Sequence, residues 1–283
     1  MVFIQVVCGP AGSGKSTYCK AIQEHCAVKG RRVYVANLDP AAETFSYDLA
    51  FDIRDLISVE EVMNELNLGP NGALLYAMDY LLENLEWLEE ELSGFLDDDY
   101  LLIDCPGQLE LYTHQPVMRA IVDQLRVWGH SRVAGVFVVD ATFVCDAPKF
   151  ISGILLSLSA MISLELPHIN VLSKCDLVDS ERVLDILEVQ SAQELWNIEE
   201  SKHAERDKTA SKLAVQTRKK RNRLTESICT LIDDYSMVGF VPLNLSDEES
   251  IDHVMSHVDH VIQYGEDLEV QETEEFGGDA DEE

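Results

Sequence analysis

Short runs of apolar, often β-branched residues, each closed by turn residues, recur at positions 2–8, 32–38, 100–103, 133–139, 169–172 and 238–243. Their period and length predict six strands. Longer stretches with helical spacing separate them, so consecutive strands need crossover connections and the sheet should be mainly parallel. The run at 133–139, Val-Ala-Gly-Val-Phe-Val-Val, lacks polar alternation, as expected of a central strand covered on both sides. The predicted class is α/β, a mainly parallel sheet flanked by helices.

Two stretches fall outside this alternation and read as excursions from the sheet. The first, 45–72, ends in Leu68-Gly69-Pro70-Asn71-Gly72, a strong turn signal; the second, 183–222, is polar, helix-prone and increasingly basic. Neither reads as a separate domain, so residues 1–264 are expected to form one. From 265 to 283 the chain carries ten acids and no base, a composition that predicts a disordered acidic tail. The weakly polar run 150–164 contains Ser152, Ser157, Ser159 and Ser163 and falls short of the roughly 20 apolar residues of a bilayer span. A buried or partner-covered helix is expected there.

Charge narrows the function further. With 21 Lys and Arg against 52 Asp and Glu, a net charge of -31, the surface repels nucleic acid and anionic membrane, and neither is expected as a direct partner. Nine of the basic residues lie between Lys202 and Arg223, a solvated helix face or a patch for an acidic partner. Seven cysteines without a C-x-x-C pair read as reduced thiols. The start of the chain lacks the basic and small-residue features of a signal peptide, and a cytoplasmic location is expected.

The chemistry begins at Gly9-Pro-Ala-Gly12-Ser13-Gly14-Lys15-Ser16-Thr17, which matches G-x-x-x-x-G-K-[ST] after a predicted strand and before a helix. Backbone N–H groups there can curl around phosphates, Lys15 can reach the β and γ positions, and Ser16 can offer its hydroxyl to Mg²⁺. Asp104-Cys-Pro-Gly107-Gln108 follows the strand at 100–103, which puts Asp104 at a strand end beside that loop as a magnesium ligand. Gly107 can then face a γ-phosphate and Gln108 can orient water. Ser173-Lys174-Cys175-Asp176 closes the strand at 169–172 and matches [NST]-K-x-D. One carboxylate at Asp176 can accept from both N1–H and the exocyclic amine of guanine, whereas adenine presents an acceptor at N1. Asp39, at the end of the second strand, is a candidate to hold water or metal at the same edge. Arg54 and Glu43 have no role legible from spacing.

These elements predict a P-loop NTPase fold that binds GTP with Mg²⁺ and hydrolyses it. A P-loop kinase would gather arginines around the donor phosphates, and no such cluster stands outside 202–223. A nucleotide-stabilised scaffold with little turnover, docking a client on the apolar helix near 150–166, is the other alternative.

Taken together the motifs resemble the GPN-loop GTPase family, and within it the third eukaryotic branch: GPAGSGKST, NLDPAAE, Gly69-Pro70-Asn71, DCPGQLELYTH from Asp104, FISGILLSLSAMISLELP from Phe150, and SDEES followed by QYGEDLE. The resemblance covers residue 3 to about 269. It implies a dimer whose subunits face each other across their nucleotides, with Asn71 reaching the partner's phosphate site and Asp39, Gln108 and Glu110 handling the attacking water. It further implies a heterodimer with the first family paralog, or a homodimer, acting with RNA polymerase II subunits or assembly factors, and shuttling from cytoplasm to nucleus. Ser173 departs from the commoner Asn or Thr and is expected to brace the phosphate loop less firmly.

Overall fold

The computed structural model describes residues 1–265 apart from 114–115, 129–130, 143–145, 180–182, 184–186, 188–190, 207–211 and 235–237; side chains at 131, 199–200 and 202–222 lie outside the description too. The acidic tail from 266 and the side chains of the basic segment up to 222 are therefore outside the described residues. In chain order the elements are β1 (Val2–Cys8), α1 (Lys15–Val28), β2 (Val33–Asn37), β3 (Leu49–Asp52), α2 (Val59–Leu66), α3 (Pro70–Glu83), α4 (Leu85–Leu92) and β4 (Tyr100–Asp104). There follow α5 (Glu110–Thr113), α6 (Val117–Val127), β5 (Ser131–Asp140), α7 (Ala147–Leu164), β6 (His168–Ser173), α8 (Ala192–Arg206), α9 (Lys212–Asp234), β7 (Phe240–Pro242) and α10 (Glu248–Ile262).

All strands run parallel in the order β3-β2-β4-β1-β5-β6-β7. Alternation along each strand divides the core in two. Phe3 and Val7 of β1, with Ala134, Val136 and Val138 of β5, face Tyr18 and Ile22 of α1 and Val254 and Val258 of α10. Ile4 and Val6, with Val133, Phe137 and Val139, face Leu74, Met78 and Leu81 of α3 and Ile121 and Leu125 of α6. The uninterrupted apolar run of β5 thus has a partner on both faces. Because every strand points the same way, the carboxyl ends of β1, β2, β4, β5 and β6 emerge along one edge, and their loops share it.

The stretch 45–72 departs from its reading as an excursion. It supplies the seventh strand, β3, which pairs with β2 so that Asn37 lies beside Asp52. Leu49 and Ala50 are exposed and only Phe51 and Asp52 are buried, too short a pattern for alternation to reveal. Ser58 and Glu61 then form a capping box on α2, and Pro70 stands in the first turn of α3, so the predicted turn leads directly into a helix. The second stretch is mostly helical where described, and α7 packs against both α8 and α9. By length and composition α7 is apolar enough to cross a membrane, yet Phe150, Ile151, Ile154, Leu158 and Leu164 are buried in the fold.

Phe137, fully buried in the central strand, tests the core. Phe137→Ala should lower unfolding free energy by about 3–5 kcal/mol, read as a shift of the urea midpoint with unchanged slope.

Candidate functional site

The phosphate loop joins β1 to α1. Gly14 caps α1 at φ 95°, a left-handed conformation open to glycine at little cost. Lys15, 8% exposed, donates from Nζ to the carbonyls of Gly9 and Pro10, each at 3.2 Å. The Oγ of Ser13 is buried without a hydrogen-bond partner among the described residues. A donor hydroxyl, an ammonium held only by loop carbonyls, and a helix N-terminus together fit a chain of phosphates.

Asp104 ends β4 next to β2, and the N–H of Leu38, just past β2, donates to the Asp104 carbonyl at 2.8 Å. Burial pushes its carboxyl above the usual range, against hydrogen bonds from Ser16 and Tyr47 and the nearby charge of Lys15, while neighbouring Asp39 pushes it further up. Tyr47 donates its hydroxyl to Oδ2 at 3.1 Å, a contact sequence reasoning missed because it depends on how the 39–48 loop folds back. The Ser16 hydroxyl and Asp104 carboxylate are oxygen donors suited to a hard divalent cation. Among the described residues no group of three or more His, Cys, Asp or Glu side chains forms a metal site by itself. Mg²⁺ fits such a pair, since it takes one or two protein oxygens and completes its shell with phosphate and water.

Asp39 leaves β2 at the same edge. Burial raises its carboxyl, countered by the Ala41 N–H, which donates to Oδ1 at 3.0 Å, and by the charge of Lys15. Asn37, fully buried, brackets the Asp39 backbone: Nδ2 donates to its carbonyl at 3.0 Å and Oδ1 accepts its N–H at 3.0 Å. Gly107 approaches so closely that a Cβ there would lie 2.8 Å from Ala11 Cα, bringing the D-x-x-G segment onto the phosphate loop. Gln108 Nε2 donates to Asn71 Oδ1 of the same chain at 3.1 Å. Glu110 opens α5 with its side chain exposed.

The base element is fastened to the phosphate loop. Ser173 Oγ lies 2.5 Å from Ser13 O and 3.1 Å from Val139 O, and its single proton donates to the nearer Ser13 carbonyl, so the serine braces the loop. Lys174, at φ 59°, donates from Nζ to Gly12 O and to Asp140 Oδ2, both at 2.7 Å. Asp140, unrecognised in the sequence, ends β5. Burial pushes its carboxyl up, but the hydrogen bonds from Lys174 and Thr142 outweigh this and hold it low. Asp176 is exposed on the short 3₁₀ turn Cys175–Leu177. The segment after β7 lies alongside: Leu243 N–H donates to Leu172 O at 2.8 Å, and Cys175 N–H to Leu243 O at 3.2 Å.

The family profile described as "conserved hypothetical ATP binding protein" matches residues 7–264. The chain is 49% identical to "GPN-loop GTPase 3" of Dictyostelium discoideum over 95% of this chain and 90% of that protein. Against the protein of the same name in Danio rerio it is 49% identical over 96% and 92%, and against that of Saccharomyces cerevisiae 45% over 94% and 94%. A GTPase of Pyrococcus abyssi, solved in its apo form, superposes with a TM-score of 0.72 at 22% identity over 91% of this chain and 96% of that one, a likeness of fold.

Burying the Asp104 charge costs folding energy. Its folded pKa is raised, so stability falls as pH climbs from the unfolded carboxylate value through the folded one. Asp104→Asn should raise the nucleotide-free melting temperature at neutral pH, lose that advantage in acid, and abolish the magnesium dependence of nucleotide binding. Melting curves at both pH values and a magnesium titration check all three.

Proposed function

Because the chain belongs to the GPN-loop GTPase family, we propose that it binds GTP with Mg²⁺ and hydrolyses it. One observation carries the reading: the base element is hydrogen-bonded onto the phosphate loop through Ser173 and Lys174, so Asp176 and Lys15 serve the two ends of one nucleotide. Ser13, Lys15, Thr17 and the N–H groups from Gly12 to Ser16 hold the phosphates. Ser16 and Asp104 hold Mg²⁺, which when bound neutralises phosphate charge. Gly107 presents its N–H toward the γ position, and Asp39, Gln108 and Glu110 orient the water. Gln108 has its amide nitrogen engaged by Asn71, which leaves Oε1 to accept from that water.

The family profile's description names ATP, and the chemistry of the base element favours GTP. An exposed carboxylate pairs with the N1–H and amine of guanine and repels the N1 acceptor of adenine. The resemblance extends the reading to a dimeric switch in RNA polymerase II assembly and nuclear import, paired with the first paralog or a second copy and moving between cytoplasm and nucleus.

Asp176→Asn should weaken GTP binding and relax discrimination against ATP, measured as the ratio of the two dissociation constants; equal affinities in the unmutated chain would refute the guanine assignment. Lys15→Ala should abolish tight triphosphate binding. Gln108→Ala should leave binding nearly unchanged and slow turnover on the order of 10²-fold, because water orientation acts mainly in the transition state.

Asn71 tests the dimer. Its carboxamide faces Gln108 in its own chain, whereas the family reading has it serve the partner's site. Mixing the impaired variants Asn71→Ala and Gln108→Ala raises hydrolysis above either alone if Asn71 acts across the interface, because one site of the mixed dimer is then intact. If Asn71 supports its own Gln108, mixing restores nothing.

A further inference from the structure

Arg54 has no place in the P-loop motifs, yet it grips the Asp39 loop from two sides. Toward β3, its Nε donates to Asp52 Oδ2 at 2.8 Å, and its backbone N–H donates to Oδ1 at 3.0 Å. Its Nη2 completes the ion pair with Oδ2 at 2.7 Å. Asp52 passes the connection on, because its Oδ1 also accepts from Asn37 Nδ2 at 2.8 Å. Asn37 in turn holds both backbone groups of Asp39. On its other side Arg54 donates from Nη1 to the carbonyls of Ala42 at 2.9 Å and Glu43 at 3.3 Å, and its guanidinium lies 4.5 Å from the centre of the Phe45 ring.

The circuit runs through buried groups. Asn37 is fully buried and Asp52 is 6% exposed, so a broken link would leave a polar group without solvent to replace it. Every hydrogen-bonding atom of the Asn37 carboxamide is used within the circuit. The backbone of residue 39 is therefore set by the register of β3, and the Ala41 N–H then fixes the carboxylate. The five planar donors of Arg54 suit a fork that binds a carboxylate and two carbonyls at once.

We propose that Arg54, through Asp52 and Asn37, is the positioning residue that aims the Asp39 carboxylate at the attacking water. This rests on the hydrolase reading above. Arg54 touches neither phosphate nor metal in this role; it sets the direction of the group that does. A misplacement of about 1 Å in such a group lowers the rate on the order of 10²-fold while leaving ground-state affinity nearly untouched.

The test measures kcat and KM for GTP, the dissociation constant of a non-hydrolysable GTP analogue, and the melting temperature, for the unmutated chain, Arg54→Ala, Arg54→Lys, Asp39→Ala and the double variant Arg54→Ala with Asp39→Ala. Arg54→Ala should lose kcat on the order of 10²-fold at unchanged analogue affinity, and added guanidinium ion should restore part of it. Arg54→Lys, which keeps the charge but lacks the fork, should remain well below the unmutated rate and supplies the comparison if Arg54→Ala does not fold. The double variant should be no slower than Asp39→Ala alone, because two residues acting on one step are not additive. A folded Arg54→Ala or Arg54→Lys with unmutated kcat overturns the proposal, as does multiplication of the two single effects. Absence of GTP turnover in the unmutated chain, with the analogue still bound, overturns the hydrolase reading and this inference with it. Loss of melting temperature without a kcat effect shows a brace and nothing more.

Discussion

A lysine and two carboxylates are kept in a largely buried crevice at one sheet edge. Lys15 and Asp104 are almost fully buried, Asp39 is held above the usual carboxylate range by burial, and Lys15 donates to loop carbonyls. Water would solvate the two carboxylates better than the protein does. The surrounding structure supplies the substitutes: hydroxyls from Ser16 and Tyr47 for Asp104, a backbone N–H for Asp39, and the carbonyls of the phosphate loop for Lys15. The cost of holding charge in this state is what polyphosphate and magnesium can relieve, so the site is poised by its own discomfort.

That constraint explains why supports reach it from across the fold. Gln23 of α1 fixes the far end of the 39–48 loop, its Nε2 donating to Asp48 O at 2.9 Å and its Oε1 accepting the Asp48 N–H at 2.8 Å. Arg54 holds the middle of that loop, and Asn37 its beginning. Opposite, Lys174 ties the end of β5 to the phosphate loop while Ser173 ties the end of β6 to it. The parallel sheet makes these ties short, because strands distant in sequence end side by side. A loop anchored at several points keeps preorganised dipoles and charges in place without reorganising when the reaction occurs.

The single described hydrogen bond between Gln108 and Asn71 connects this rigid floor to the tip of α3. Pro70 in the first turn fixes the backbone there, so the tip presents one amide at a defined place. A rigid tip suits either use of that amide, toward its own chain or toward a partner, since both require reach without flexibility.

Local chemistry made much of this readable in the sequence. The phosphate loop, Asp104, the base element and the alternation of strands and helices are legible because each combines residue type, spacing and a neighbouring apolar run within a short window, and the parallel α/β class follows from that order. Other features depended on pairing between distant segments. Asn37 meets Asp52 only because β3 lies beside β2, and Tyr47 reaches Asp104 only because the loop between those strands folds back over the crevice. Asp140 gains its meaning from a lysine 34 residues later. β3 itself escaped notice because it is short and half exposed, with too few buried positions to show a period. Spacing along a chain records what each strand end carries; only the register between strands decides which of those ends support one another.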